Sequence, residues 1–243
     1  MTARPVASRW SRALVAFRRG GRSVLRTRLL ARCLLPIGTW QELVFFEKEL
    51  ADDVPAITAA VPLEMHVVSA DELPEHRAAL EAAGIDWERM AARAALGHRC
   101  TVVLSAGRLV HLRWLADTAA WIPELRATIR PLPGEAYVYD AFTPEDARGG
   151  QVQPAVSRLM ISWGRRQGYR RHIFYVRGHN ASGLRIVGKI GARRTAVVRS
   201  LRLKWKDAAW VTGLRPGRSP RLEFEPGTRL RSLGPFGYWL GPP

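Results

Sequence analysis

Apolar and polar positions along this chain follow two periods, and the switches between them mark out its elements. Trp10, Ala13, Leu14 and Phe17 fall at i, i+3, i+4 and i+7 while Arg18, Arg22 and Arg26 recur every fourth residue, which predicts two basic amphipathic helices parted at Gly20-Gly21. Apolar runs at 43–46 and 64–69 predict strands. The second runs into a helix over about 70–83 that stops at Gly84, and a further helix over 86–95 carries Trp87, Met90 and Ala94 on one side. Strands at 100–105 and 109–115 are expected to form a hairpin about Ala106-Gly107-Arg108. The span 116–134 holds Trp121, Pro123, Pro131, Pro133 and Gly134 and reads as a connector or short helix, with a strand after it over about 136–143.

The pattern is sharpest in the next segment. Val152, Ala155, Val156, Leu159, Met160 and Trp163 form a helical stripe that ends at Gly168, and Pro154 sits in its first turn, where a missing N–H costs little. Arg148-Gly149-Gly150 precedes it, so the order is strand, glycine turn, helix N-terminus. A strand at 172–177, a helix at 181–189 with an Asn or Ser cap, and a strand at 195–205 follow. In that last strand Leu201, Leu203 and Trp205 alternate with Arg202, Lys204 and Lys206, as one buried face requires; Trp163 and Trp205 read as core. Beyond Arg215 the chain is rich in Gly and Pro, with a further strand at 222–224 and Phe236, Tyr238 and Trp239 near its end. These elements describe one α/β domain with a mixed sheet over 41–215, a basic arm at 1–40 and a tail at 216–243.

Composition narrows the classes. Apolar residues make up 47% and charged residues 24% of 243, enough for a core, so wholesale disorder is excluded. The net charge of +17 is uneven: 1–40 carries +9 with no acid, 41–147 carries −9, and 148–243 carries +17. Such a chain invites nucleic acid, an anionic membrane surface or a phosphorylated ligand. The arm reads as a partly disordered segment or a helix docked on the acidic middle, as a helix lying in an anionic membrane interface, or as an organelle-targeting segment, and its composition does not separate these. No apolar stretch approaches a membrane span, since 29–37 is cut by Arg32 and holds Pro36, and no secretory signal is evident; a cytoplasmic protein, peripheral to the membrane if the arm binds lipid, is expected. Cys33 and Cys100 have no His or Cys at ligand spacing, so neither a disulfide framework nor a metal site is expected.

A helix N-terminus presents unpaired N–H groups and a partial positive charge, and glycines before it let a phosphate approach the backbone. The pattern here is neither the dinucleotide fingerprint nor a Walker loop, which disfavours nucleotide hydrolysis and dinucleotide redox chemistry. The stretches AYVYDAFTPEDARGGQVQPAVSRLM (136–160), GYRRHIFYVRGHN (168–180) and ASGLRIVGKIGARR (181–194) resemble the GNAT superfamily of acyl-CoA N-acyltransferases. They are similar, in order, to that family's fourth strand with its pyrophosphate loop and helix, its fifth strand, and its Asn-initiated helix. The resemblance is clear over about 60 residues and extends weakly back to about Glu64. It implies a mixed, mostly antiparallel sheet flanked by helices. Two positions depart from the family: Gln151 and Gln153 stand where its loop has small residues, and Val187 stands where it often places a tyrosine that protonates the CoA thiolate.

The resemblance implies acetyl-CoA, or another short acyl-CoA, as acyl donor, with a primary amine of a small molecule or peptide attacking the thioester directly. It places Phe142, Thr143, Arg148, Gly149, Gly150, Gln151, Val152, Gln153 and Asn180 against the acyl-CoA, with donors to the oxyanion from about Phe142 and Thr143. A protonated amine needs a base before it can attack. Asp140 is the first candidate, directly or through water, and Tyr139 the second; Tyr175 is a candidate proton donor to the thiolate. Asp140, Tyr175 and Asn180 also have plainer readings, as holding a loop, in the core and capping the helix after it, and His179, at the end of a strand, reads as an acid or base or as a surface residue. The alternative for the whole chain is a non-catalytic module, on a degenerate fold of this kind, that binds nucleic acid or a membrane surface, although no specific nucleic-acid motif is present. A cell-wall aminoacyl transferase of related fold is a third reading, and usually needs two copies in a longer chain.

Overall fold

The computed structural model describes residues 38–52, 54, 56–203, 206–213 and 220–232. The expected helices of the basic arm, Cys33, Trp205 and the aromatic residues near the end of the chain lie outside them. Nine strands form one sheet, in spatial order β12 (Arg229–Ser232), β10 (Lys206–Thr212), β9 (Arg193–Leu203), β1 (Gly38–Glu49), β8 (Arg171–Arg177), β7 (Glu135–Phe142), β4 (Arg108–Ala116), β3 (Arg99–Ser105) and β2 (Glu64–Val68). Neighbours are antiparallel except β10 with β12 and β7 with β8. β5 (Ala120–Ile122), β6 (Ala127–Ile129) and β11 (Leu222–Phe224) form a second, three-stranded sheet.

Four helices flank the large sheet: α1 (Arg77–Ala82), entered through a 3-10 turn at Leu73–His76, α2 (Trp87–Ala95), α3 (Val152–Arg166) and α4 (Ala181–Lys189). Alternation along the strands decides which layer each residue meets. In β1, Leu43 and Phe45 join a core with Ile122, Ile129 and Tyr137, whereas Val44 and Phe46 join Val187 of α4. In β4, Trp114 packs with Leu80 and Met90 of α1 and α2, whereas Leu115 packs with Val156 and Met160 of α3. The small sheet with α1 and α2 thus covers one face of the large sheet, and α3 with α4 the other.

Several elements differ from expectation for identifiable reasons. β1 is twelve residues long, not four, because Glu42, Glu47 and Lys48 are buried as well: Arg199 pairs with Glu42, and Arg193 and Arg171 with Glu47. Charges that read as surface are interior here because each acid has its arginine. The span 116–134 is no helix. Ala120, Ile122, Ala127 and Ile129 alternate inward on β5 and β6 beneath the core of the large sheet. The last long strand begins two residues earlier than expected, at Arg193, and the chain folds back as β10 along residues 197–203 of it. The α3 stripe is rotated slightly from the expected one, with Pro154, Ser157, Ile161 and Gly164 buried and Leu159 and Trp163 only half-buried.

Candidate functional site

β7 and β8 run parallel, yet they pair only through Glu135↔Arg171, Ala136↔His172 and Tyr137↔Ile173. Beyond Tyr137 and Ile173 each strand continues four or five residues without a partner in the other, so the sheet opens into a cleft of about 860 Å³. On its other side β7 bulges: Leu112 of β4 faces Phe142 and Trp114 faces Tyr139, so Asp140 and Ala141 together oppose the single residue Arg113. Asp140 takes the left-handed conformation, φ +47°, at this bulge. A side chain held there at a sheet opening is a common mark of function.

At the mouth of the cleft lies the loop that leads into α3. Gly149 has φ +92° with open space where a side chain would project. Gln151 has φ +59°, the region glycine favours, and is the N-cap of α3 without a side-chain bond to its first turn. Its Oε1 instead accepts from Lys189 Nζ of α4 at 2.9 Å. The backbone keeps the form a glycine would give, and the first-turn N–H groups are left for an outside acceptor. Asn180 caps α4, its Oδ1 accepting from the Gly183 N–H at 3.0 Å, and also lines the cleft.

Two carboxylates flank the opening, each tied to an arginine. Asp140 Oδ2 accepts from Arg93 Nη1 at 2.5 Å, and Arg93 also stacks over the rings of Trp114 and Tyr139. Glu124, from the turn between β5 and β6, accepts from Arg177 Nη2 at 2.5 Å and from the Tyr175 hydroxyl at 3.0 Å. Burial raises the Tyr175 phenol, and the adjacent Glu124 adds to the rise, so it stays protonated at neutral pH. Burial raises Tyr139 likewise. His98 Nε2 faces the Ala119 carbonyl, which can only accept, and burial holds the ring neutral, so its Nδ1 accepts the Tyr139 hydroxyl at 2.6 Å.

Behind the bulge, under α3, lies a buried polar cluster. Arg113 is 6% exposed and, among the described residues, has no carboxylate partner; it donates to His111 Nε2 at 3.1 Å and to Ser157 Oγ at 3.2 Å. Burial without an anion pushes its guanidinium down to about 10. His111 is fully buried and held neutral by burial and by Arg113, and its Nδ1 lies 2.8 Å from Thr143 Oγ1. Arg113 and Thr143 both line the cleft. Among the described residues no group of three or more His, Cys, Asp or Glu side chains is placed to hold a metal ion, and no helix is long and apolar enough to cross a membrane.

Several solved structures similar to this chain are GNAT-family acetyltransferases. An acetyltransferase of the GNAT family from Colwellia psychrerythraea is 12% identical over 84% of this chain and 76% of its own, with a TM-score of 0.47. GCN5-related N-acetyltransferases from Kribbella flavida and Sphaerobacter thermophilus are 18% and 15% identical over 72% and 74% of this chain, with TM-scores of 0.42 and 0.46. The chain spans less than two thirds of these two, 63% and 56% of their lengths. No protein-family model and no curated protein matches the chain.

Of the candidate residues named from the sequence, Tyr139, Asp140, Tyr175, Phe142, Thr143, Arg148, Gly149, Gln151, Val152, Gln153 and Asn180 all border this cleft. Gly150 does not: its carbonyl accepts from the Ala60 N–H, and a side chain on it would meet Ala60 Cβ at 3.4 Å. Val187 also lines the cleft and is 4% exposed, so an apolar surface stands at the family's tyrosine position. Sequence reasoning missed Glu124, His98, His111 and Arg113. Glu124 fell in a span read as a connector. His111 and Arg113 share the parity of one strand face, and that was the signal available.

Proposed function

We propose that the protein transfers an acetyl or other short acyl group from acyl-CoA to a primary amine. The observation that carries this reading is the parting of β7 and β8 after three paired residues, which opens a cleft onto the uncapped N-terminus of α3. A pantetheine chain inserted between the parted strands finds unpaired strand backbone, while the pyrophosphate meets the N–H groups of Gly149, Gln151, Val152 and Gln153 with Arg148 beside them. Binding both reactants side by side supplies much of the rate.

Asp140 is the base, taking the proton from the attacking amine; Arg93 fixes its carboxylate at the bulge. Tyr139 is held as a neutral phenol donating to His98, so it orients the site and does not act as the base. Tyr175, a neutral phenol, turns its hydroxyl from Glu124 to give its proton to the departing thiolate in place of the absent tyrosine at Val187. Asp140 and Glu124 favour a cationic acceptor. Incubation with acetyl-CoA and a panel of primary amines tests the reading by free-thiol release: amine-dependent release is expected, and release unaffected by every amine contradicts it.

A further inference from the structure

Arg113 reaches the cleft only partly in person; its stronger reach is through two neighbours. A guanidinium Nε always carries its hydrogen, so the His111 Nε2 it contacts at 3.1 Å must accept. The neutral imidazole then carries its proton on Nδ1, and that N–H donates to Thr143 Oγ1 at 2.8 Å. With an oxygen lone pair so engaged, the Thr143 hydroxyl has its own proton to give. Among the described residues no other group bonds Thr143 Oγ1, and Thr143 lines the cleft just past the bulge.

We propose that the relay Arg113–His111–Thr143 makes the Thr143 hydroxyl a directed donor to the carbonyl oxygen of the bound thioester, the atom that gains negative charge as the amine attacks. This rests on the acyl-transfer reading above. Each bond in such a series polarises the next, and among the described residues the buried cation at its head has no carboxylate partner. A pre-aimed donor in a water-poor site is worth far more than the same group in water, and losing one costs about 10²–10³-fold in turnover. Arg113 and His111 are positioning residues; Thr143 touches the reacting group. Arg148 Nε steadies the same residue from its other end, donating to the Thr143 carbonyl at 3.1 Å.

The test is the carbonyl stretch of acetyl-CoA carrying ¹³C in its acetyl carbonyl, read by isotope-edited infrared difference spectroscopy, with affinity measured in parallel. Bound to the unaltered protein the band falls below its frequency in water. Thr143→Val and Arg113→Met each return it towards an apolar-site value, Thr143→Ser keeps it low, and acetyl-CoA still binds in all three. ¹⁵N spectra of His111 show the Nδ1–H tautomer, lost in Arg113→Met. A band identical in the unaltered protein and Thr143→Val, with both binding acetyl-CoA, overturns the relay and leaves acyl transfer standing. No acetyl-CoA binding to the unaltered protein overturns the acyl-transfer reading and the relay's assigned target together.

Discussion

Arg93 on α2 and Asp140 on the bulge of β7 meet at 2.5 Å, 47 residues apart in sequence, and the contact aims a half-exposed carboxylate along the wall of the cleft. The bulge and the ion pair place Asp140 where neither β-strand periodicity nor a regular ladder would leave it.

Replacing Asp140 by Asn removes the base and keeps the shape. Amine-dependent thiol release falls by about 10²–10⁴-fold while acetyl-CoA affinity is unchanged. Arg93→Met gives a smaller loss, because the carboxylate remains and only its aim is relaxed. Steady-state kinetics on both variants check the order; equal losses in the two would mean that the ion pair as a unit, and not Asp140 as base, carries the effect.

Gly164 sits inside α3, where alanine would ordinarily favour the helix by up to about 1 kcal/mol. Here a Cβ would lie 2.8 Å from both His172 Nε2 and Leu50 Cδ1. Overpacking of this kind costs about 1–3 kcal/mol, so it outweighs the propensity gain. Gly164→Ala therefore unfolds at a lower denaturant concentration than the unaltered protein.

Burial drives His172 down to about 3 from near 6.5, and it holds His111 well below the same value. Between those limits the unfolded chain binds protons that the folded chain refuses, so stability rises with pH there. The fold is then steady above about pH 6.5 and loses up to about 1.4 kcal/mol per pH unit for each such histidine as the pH falls towards 3. Urea unfolding at pH 7, 6, 5 and 4 shows this slope, and His172→Gln reduces it by about one proton's worth. An unchanged slope would show that His172 already takes up its proton in the fold.

The parts legible in the sequence are those governed by local rules. The apolar stripe of α3 and the Asn180 cap, whose Oδ1 accepts from the Gly183 N–H at 3.0 Å, depend on residues within four of one another. Glu42 and Glu47 hid the ends of β1 because their burial depends on arginines more than a hundred residues away. Glu124 became part of the site only when β5 and β6 paired and turned it towards Arg177. The relay from Arg113 was hidden for a similar reason. A strand reading LVHLRWL alternates polar and apolar like a surface strand, yet its polar face is covered by α3.

In the proposed function, acyl-CoA occupies the cleft with its pyrophosphate on the loop before α3. Calorimetric titration with acetyl-CoA tests it most directly, using the unaltered protein and Gly149→Glu, which places a carboxylate at a left-handed position lining the cleft. Saturable one-to-one binding to the unaltered protein and none to the variant is expected. Equal binding by both would move the ligand off this loop, and no binding by either would remove acyl transfer as the function of the cleft.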